Sequence, residues 1–145
     1  MARLFADTSK VSELKKLVEL GIFEGVTTNP LIVAMEAGDA EPKTYYEKLV
    51  REFPDLPISI QLLDEPVETL LEQARAYASI APNIVIKVPM FGDGRGVAVL
   101  SKLLKERIKA LNKLDISCIG IACNTAHVLL GELQSVSKAP FVSMI

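Results

Sequence analysis

Two hydrophobic rhythms alternate along the chain. Short apolar runs recur at residues 3–7, 25–28, 57–63, 83–88, 116–122 and 141–145, and each predicts a strand. Between them the apolar positions fall at helical spacing. Val11, Leu14, Leu17 and Val18 predict a helix over 11–20, and further helices are predicted over 31–37, 45–53, 67–80, 97–114 and 125–135. The punctuation agrees with this division. Thr8-Ser9 offer helix-capping side chains, Gly21 and Gly38 follow helix ends, Pro54 stops one helix and Pro66 opens another. Runs such as Ile84-Val85-Ile86 and Cys118-Ile119-Gly120-Ile121-Ala122 carry no polar alternation, which is the signature of strands covered on both faces. Strand–helix–strand order then gives parallel pairing with right-handed crossovers.

The predicted fold class is therefore α/β: a six-stranded parallel sheet of βα units, either curled as part of a TIM barrel or open and flavodoxin-like. With 145 residues the chain is expected to form a single α/β domain over 1–145, and it is too short for a complete eight-stranded barrel, which needs roughly 200. It stops on a predicted strand, so a cut from something larger is expected. Six strands leave sheet edges or an inner apolar face to cover, which predicts a homodimer. Sixteen basic against 18 acidic residues, with no Lys/Arg-rich run, predict no nucleic-acid partner. The apolar runs are too short to span a membrane, and residues 1–7 reach an acid too soon for a secretory leader. Cys118 and Cys123 lie five apart on one strand, on opposite faces, and cannot pair with each other. A cytoplasmic protein with free thiols follows. One His beside Cys123 supplies too few ligands for a metal, so none is expected.

In parallel α/β folds chemistry gathers at the C-terminal ends of strands. There the chain places Asp7, Thr27-Thr28-Asn29, Gln61, Lys87 and Cys123-Asn124-Thr125. Lys87 stands out, because no other charge lies within five residues of it. A desolvated lysine must find a partner or lose its proton, and a neutral amine forms Schiff bases with carbonyl substrates. The alternative is a salt bridge across the sheet, to Asp7 for instance. Asp7 reads equally as a helix cap or as an acid/base group. Thr27 and Asn29 read first as the turn before Pro30, the more frequent use of Asn-Pro, and Gln61 needs buried partners in either a structural or a catalytic network. Cys123 sits where a helix would begin, a position that lowers a thiol pKa, although a buried cysteine beside an Asn or Thr cap explains it as well. Gly92, Gly94 and Gly96 read as a tight turn before a helix, with phosphate binding there as the weaker reading.

Four stretches in order, Leu4-Phe5-Ala6-Asp7-Thr8, Gly25-Val26-Thr27-Thr28-Asn29-Pro30, Ser59-Ile60-Gln61 and Ala81-Pro82-Asn83-Ile84-Val85-Ile86-Lys87-Val88-Pro89-Met90, resemble the transaldolase and fructose-6-phosphate aldolase family over residues 1 to about 100. That resemblance implies a TIM-barrel segment and class I aldol chemistry without a cofactor, on a small ketose or sugar phosphate. It implies Lys87 as the Schiff-base lysine, Asp7 as acid/base and hydroxyl ligand, Thr27 and Asn29 as substrate contacts, and Gln61 as the group that positions a water. Beyond residue 100 the segment around Cys118–Ile121-Ala122-Cys123-Asn124-Thr125-Ala126-His127 resembles instead the aspartate/glutamate racemase family. This implies Cys123 as a catalytic thiol and Asn124 and Thr125 as carboxylate contacts. Together the two resemblances predict an engineered chimera spliced near 97–110, an aldolase-like part over 1–100 and a racemase-like part over 101–145, with relic catalytic residues and no evolved activity. The alternatives are a weakly active Schiff-base aldolase or transaldolase and, third, a racemase.

Overall fold

The computed structural model describes residues 4–121 and 124–143. Chain contacts divide it into two compact units, Met1–Pro89 and Met90–Ile145.

The first unit is four βα repeats. Strands β1 (Leu4–Asp7), β2 (Phe23–Thr27), β3 (Ile58–Gln61) and β4 (Ile84–Lys87) form one sheet in sequential order, all parallel. Sequential parallel order is that of a barrel segment; a flavodoxin-like sheet would set β1 between β2 and β3. Helices α1 (Val11–Glu19), α2 (Pro30–Ala37), α3 (Pro42–Glu52) and α4 (Val67–Ala78) make the crossovers. The pleat sorts side chains by parity. Ala6, Val26, Ile58 and Ile84 stand abreast in register, and with Ile60 they meet Leu14 of α1, Val33 of α2 and Leu49 of α3 in one core. Ile58, Ile60 and Leu49 are completely buried.

Local chemistry sets the joints. Gly21 follows α1 at φ +67° and Gly38 ends α2 at φ +57°, a region that side chains with a Cβ rarely enter. The first helix start differs from expectation. Lys10, not Thr8 or Ser9, occupies the N-cap; Thr8 Oγ1 accepts the Lys10 N–H at 3.2 Å. Ser9 is buried instead, donating to the Ile32 carbonyl at 3.1 Å while its own carbonyl accepts the Tyr45 hydroxyl at 2.9 Å. This pins the loop after β1 onto α2 and α3. At the opposite end of the sheet Asn83 donates to the carbonyls of Phe53 (3.2 Å) and Leu56 (2.8 Å) and closes the turn into β3.

The second unit holds α5 (Arg95–Leu111), β5 (Ile119–Ile121), α6 (Asn124–His127), α7 (Leu130–Gln134) and β6 (Phe141–Ser143). Its two strands pair with each other in parallel as a separate sheet, over a core of Ile108, Leu129 and Leu133. The single six-stranded sheet is therefore corrected to four strands plus two. Apolar runs announce strands, but which strand each one pairs with depends on tertiary packing that no run encodes. The run over 116–122 yields only three ladder residues, and the predicted helix over 125–135 breaks into two short ones at Val128-Leu129. Among the described residues no helix is long and apolar enough to cross a membrane.

Candidate active site

The pleat that sends Ala6, Val26 and Ile58 to the helices sends their neighbours to the other face. Register places Asp7 beside Thr27 and Thr27 beside Ser59, and one pleat further along it places Gln61 beside Lys87. Four of the candidate residues thus share one sheet face at the C-terminal ends of four strands. Short strands terminate in Asp7, Thr27, Gln61 and Lys87 themselves, so each polar group stands where its strand leaves the ladder.

The contacts among them are specific. Thr27 Oγ1 donates to Asp7 Oδ1 at 2.7 Å, fixing one carboxylate oxygen of an otherwise exposed side chain. Lys87 is half-buried, and its Nζ donates to the Thr28 carbonyl at 3.1 Å. Strands two apart lie about 10 Å from each other, so the lysine stem crosses β3 to reach the end of β2. The salt bridge to Asp7 is not formed, and among the described residues no carboxylate pairs with Lys87. Asn29 caps α2: its Oδ1 accepts the Ile32 N–H at 2.9 Å, with Pro30 as the first helical residue. The turn reading of Asn29 is therefore the one the contacts realise, and its amide NH2 is not used by the cap.

Thr28, named in the sequence only within the strand-end run and given no role there, and Ser59, not counted among the strand-end groups, are both buried and both bear on Lys87. The Ser59 carbonyl accepts two bonds from Thr28, from the backbone N–H at 2.9 Å and from Oγ1 at 2.8 Å. The signal available in sequence was the doubled threonine: adjacent strand residues face opposite ways, so one of Thr27 and Thr28 had to be buried. Tyr46 stands against the Thr28 side chain; burial pushes its phenol up to about 12, with Thr28 acting in the other direction. Its ring meets Tyr77 edge-on, with centroids 5.3 Å apart. Both tyrosines line a small apolar cavity of about 260 Å³ behind Gln61, closed by Pro30, Val33 and Leu63.

Asn124 and Thr125 belong to α6 of the second unit, and Cys123 lies outside the described residues. Cys118 is an exposed free thiol. Among the described residues no group of three or more His, Cys, Asp and Glu could hold a metal ion.

A parallel sheet of sequential βα units, with a lysine and a carboxylate presented on one face at the strand ends, defines a class of α/β protein built on a barrel plan. Comparison with known proteins makes this specific. The chain matches the family model described as Transaldolase/Fructose-6-phosphate aldolase over residues 4–124, and it belongs to that family. It is 37% identical to a "Probable transaldolase" of Dehalococcoides mccartyi over 144 residues, which cover 99% of this chain and 62% of the relative. A "Probable transaldolase" of Thermoplasma volcanium is 32% identical over 143 residues, 99% of this chain and 60% of the relative. A "Probable transaldolase 2" of Listeria monocytogenes is 38% identical over 110 residues, 74% of this chain and 47% of the relative. The chain thus spans about three-fifths of the length of the first two relatives.

These matches overturn the chimera. The family match runs past the expected splice at 97–110, and two relatives align across almost the whole chain. The racemase resemblance rested on Cys123-Asn124-Thr125 after an apolar run. Any strand that feeds a helix start can present such small polar residues, so the motif carries little family information.

Proposed function

We propose that this chain carries the Schiff-base half of a class I aldolase or transaldolase site acting on a small ketose or sugar phosphate. The observation that carries the reading is Lys87: a half-buried strand-end lysine held by a carbonyl rather than by a carboxylate, on the same face as Asp7, Thr27 and Gln61. An ion pair would tie the lysine to a fixed counter-charge, whereas a carbonyl holds it by a single hydrogen bond and commits no carboxylate of the site to it.

The chemistry follows from these positions. Lys87 Nζ adds to the substrate carbonyl carbon, and the carbinolamine loses water to give an iminium. The carbon–carbon bond beyond the neighbouring hydroxyl carbon then breaks, its electron pair passing into the iminium to form an enamine. Asp7 accepts the proton of the hydroxyl that becomes the aldehyde and returns it when the enamine meets an acceptor. Thr27 orients Asp7, Gln61 stands beside Lys87 to place the water that leaves and later returns, and the Asn29 amide donates to a substrate hydroxyl at the rim. Cys123, Asn124 and Thr125 take no part. Imine formation asks for the lysine and its immediate surroundings, all within the first unit. Carbon–carbon cleavage asks for the whole positioned set, and a misplacement of about 1 Å costs roughly a hundredfold. Imine formation is therefore the step that the first unit's residues are expected to support by themselves.

Borohydride reduction in the presence of dihydroxyacetone tests this. The expected result is a single adduct that maps to Lys87 and is lost in Lys87→Met. Labelling spread over surface lysines, or unchanged in Lys87→Met, would overturn the reading.

A further inference from the structure

Lys87 meets its partner just past the end of a strand it does not pair with, and that partner is a backbone atom. Nothing about a lysine side chain selects one carbonyl among many, so the selection must lie in how the carbonyl is held. The Thr28 peptide sits just past the last β2–β3 ladder pair, Thr27 with Ser59, where the chain is turning toward the α2 cap. A residue at such a point, tied by its N–H alone, can rock about that one bond, and its carbonyl, which belongs to the next peptide plane, swings with its Cα. Here Thr28 also donates its hydroxyl to the same Ser59 carbonyl, at 2.8 Å beside the backbone bond of 2.9 Å. Both lone pairs of one oxygen are engaged by one residue, and the Thr28 Cα, which carries the carbonyl Lys87 meets, is held at two points. The side chain is wholly buried, so the hydroxyl has no water to turn to, and Tyr46 backs it from the core. A valine would fill the same space; the hydroxyl is there for the bond.

We propose that Thr28 is the positioning residue of Lys87: its buried hydroxyl, beside its N–H, anchors the residue to Ser59, and the carbonyl carried by that anchored Cα aims the lysine nitrogen across β3 into the site. The aim matters for imine chemistry only if the aldolase reading holds; the clamp itself does not depend on that reading. A loosened carbonyl leaves the lysine stem to sweep over several rotamers, and the fraction of time spent in the attacking geometry falls.

The test uses the full chain with isotope-labelled lysine Cε carbons, the Lys87 signal being assigned by its absence in Lys87→Met. Thr28→Val removes the hydroxyl at nearly constant volume, Thr28→Ser keeps it, and Thr28→Ala replaces the valine variant should that one not fold. In Thr28→Val the Lys87 Cε signal is expected to narrow and move toward that of a solvated lysine, and the dihydroxyacetone trapping rate to fall about tenfold. Thr28→Ser is expected to recover most of both. A merely structural threonine would lower the melting temperature and leave the Lys87 signal where it was, and that result overturns the proposal, as does a serine variant that behaves like valine. A wild-type chain that traps nothing on Lys87, while Thr28→Val still frees its signal, would overturn the aldolase reading and support the clamp.

Discussion

The two units are written in the same βα alphabet and use it differently. In the first, four strands pair in order, the helix-side residues of successive strands stand abreast, and the opposite face carries Asp7, Thr27, Gln61 and Lys87. In the second, two three-residue strands pair over a core centred on Ile108, Leu129 and Leu133, with α6 and α7 only four and five residues long. A ladder of in-register strands both builds a core and delivers strand ends to one place. Two short strands do the first without the second. Chemistry in such a fold depends on how many consecutive strand ends are brought level, more than on which polar residues the sequence offers at each.

The largest effects should come from the cores. Ile60→Ala, at a fully buried position in the central strand β3, is expected to cost about 2–5 kcal/mol in urea unfolding and to abolish Lys87 trapping. Leu133→Ala removes a side chain equally buried in the second unit, and it should open the amides of that unit to hydrogen exchange while the β2 and β3 amides stay protected. If Leu133→Ala exposes both units together, the contrast between them fails.

High pH separates the units next. All three tyrosines lie in the first unit, and burial raises the phenol pKa of each, Tyr46 to about 12. The folded state therefore holds protons that the unfolded chain has released. Stability is intact below pH 10, the ordinary phenol value, and is lost as pH rises toward about 12, by roughly 2–3 kcal/mol from Tyr46. Tyr46→Phe should flatten that alkaline limb in circular dichroism, and the loss should appear in first-unit amides alone.

Within the first unit, the two ends of the sheet can be set against each other. Asn83→Ala orphans the Leu56 carbonyl and leaves that of Phe53 only the long bond from the Leu56 N–H (3.4 Å), at the end of the sheet away from Lys87, and should cost about 1–3 kcal/mol in urea unfolding with the trapping rate unchanged. The smallest effect belongs to Glu132. The hydrogen bond from Lys105, then that from Ser101, holds its exposed carboxyl below the ordinary range. Its contribution is present above the ordinary carboxylate pKa and fades as pH falls through the lowered one. Glu132→Gln should soften only the acid limb of second-unit unfolding.

Much of this was open to a reading of residues. The order of strands and helices, the parallel pairing within the first unit and the strand-end address of Lys87 follow from apolar runs and an isolated charge. What stayed hidden was pairing and partnership. Nothing in residues 116–122 says that the ladder will be three residues long and will pair with β6 alone. Nothing local to Lys87 says that its partner is a carbonyl 59 residues earlier. Thr8 and Ser9 looked like caps because capping is a local rule, but the loop they form docks on α2 and α3, and Ser9 serves that contact. The racemase reading failed for the same reason in reverse, since a short motif was given more weight than the continuity of the fold around it.

The bond from Lys87 to Thr28 bears also on the order in which the molecule comes together. Each strand of the first sheet pairs with the one made just before it, so the sheet can lengthen in step with synthesis, each newcomer covering the edge left by its predecessor. The Lys87 contact bridges 59 residues and reaches over an intervening strand, so it can close only after β2, β3 and β4 are all seated. On the proposed reading the Schiff-base lysine is thus aimed only by the last event in the assembly of the first sheet, and a nascent chain that has not finished that sheet presents no aimed amine to passing carbonyl compounds.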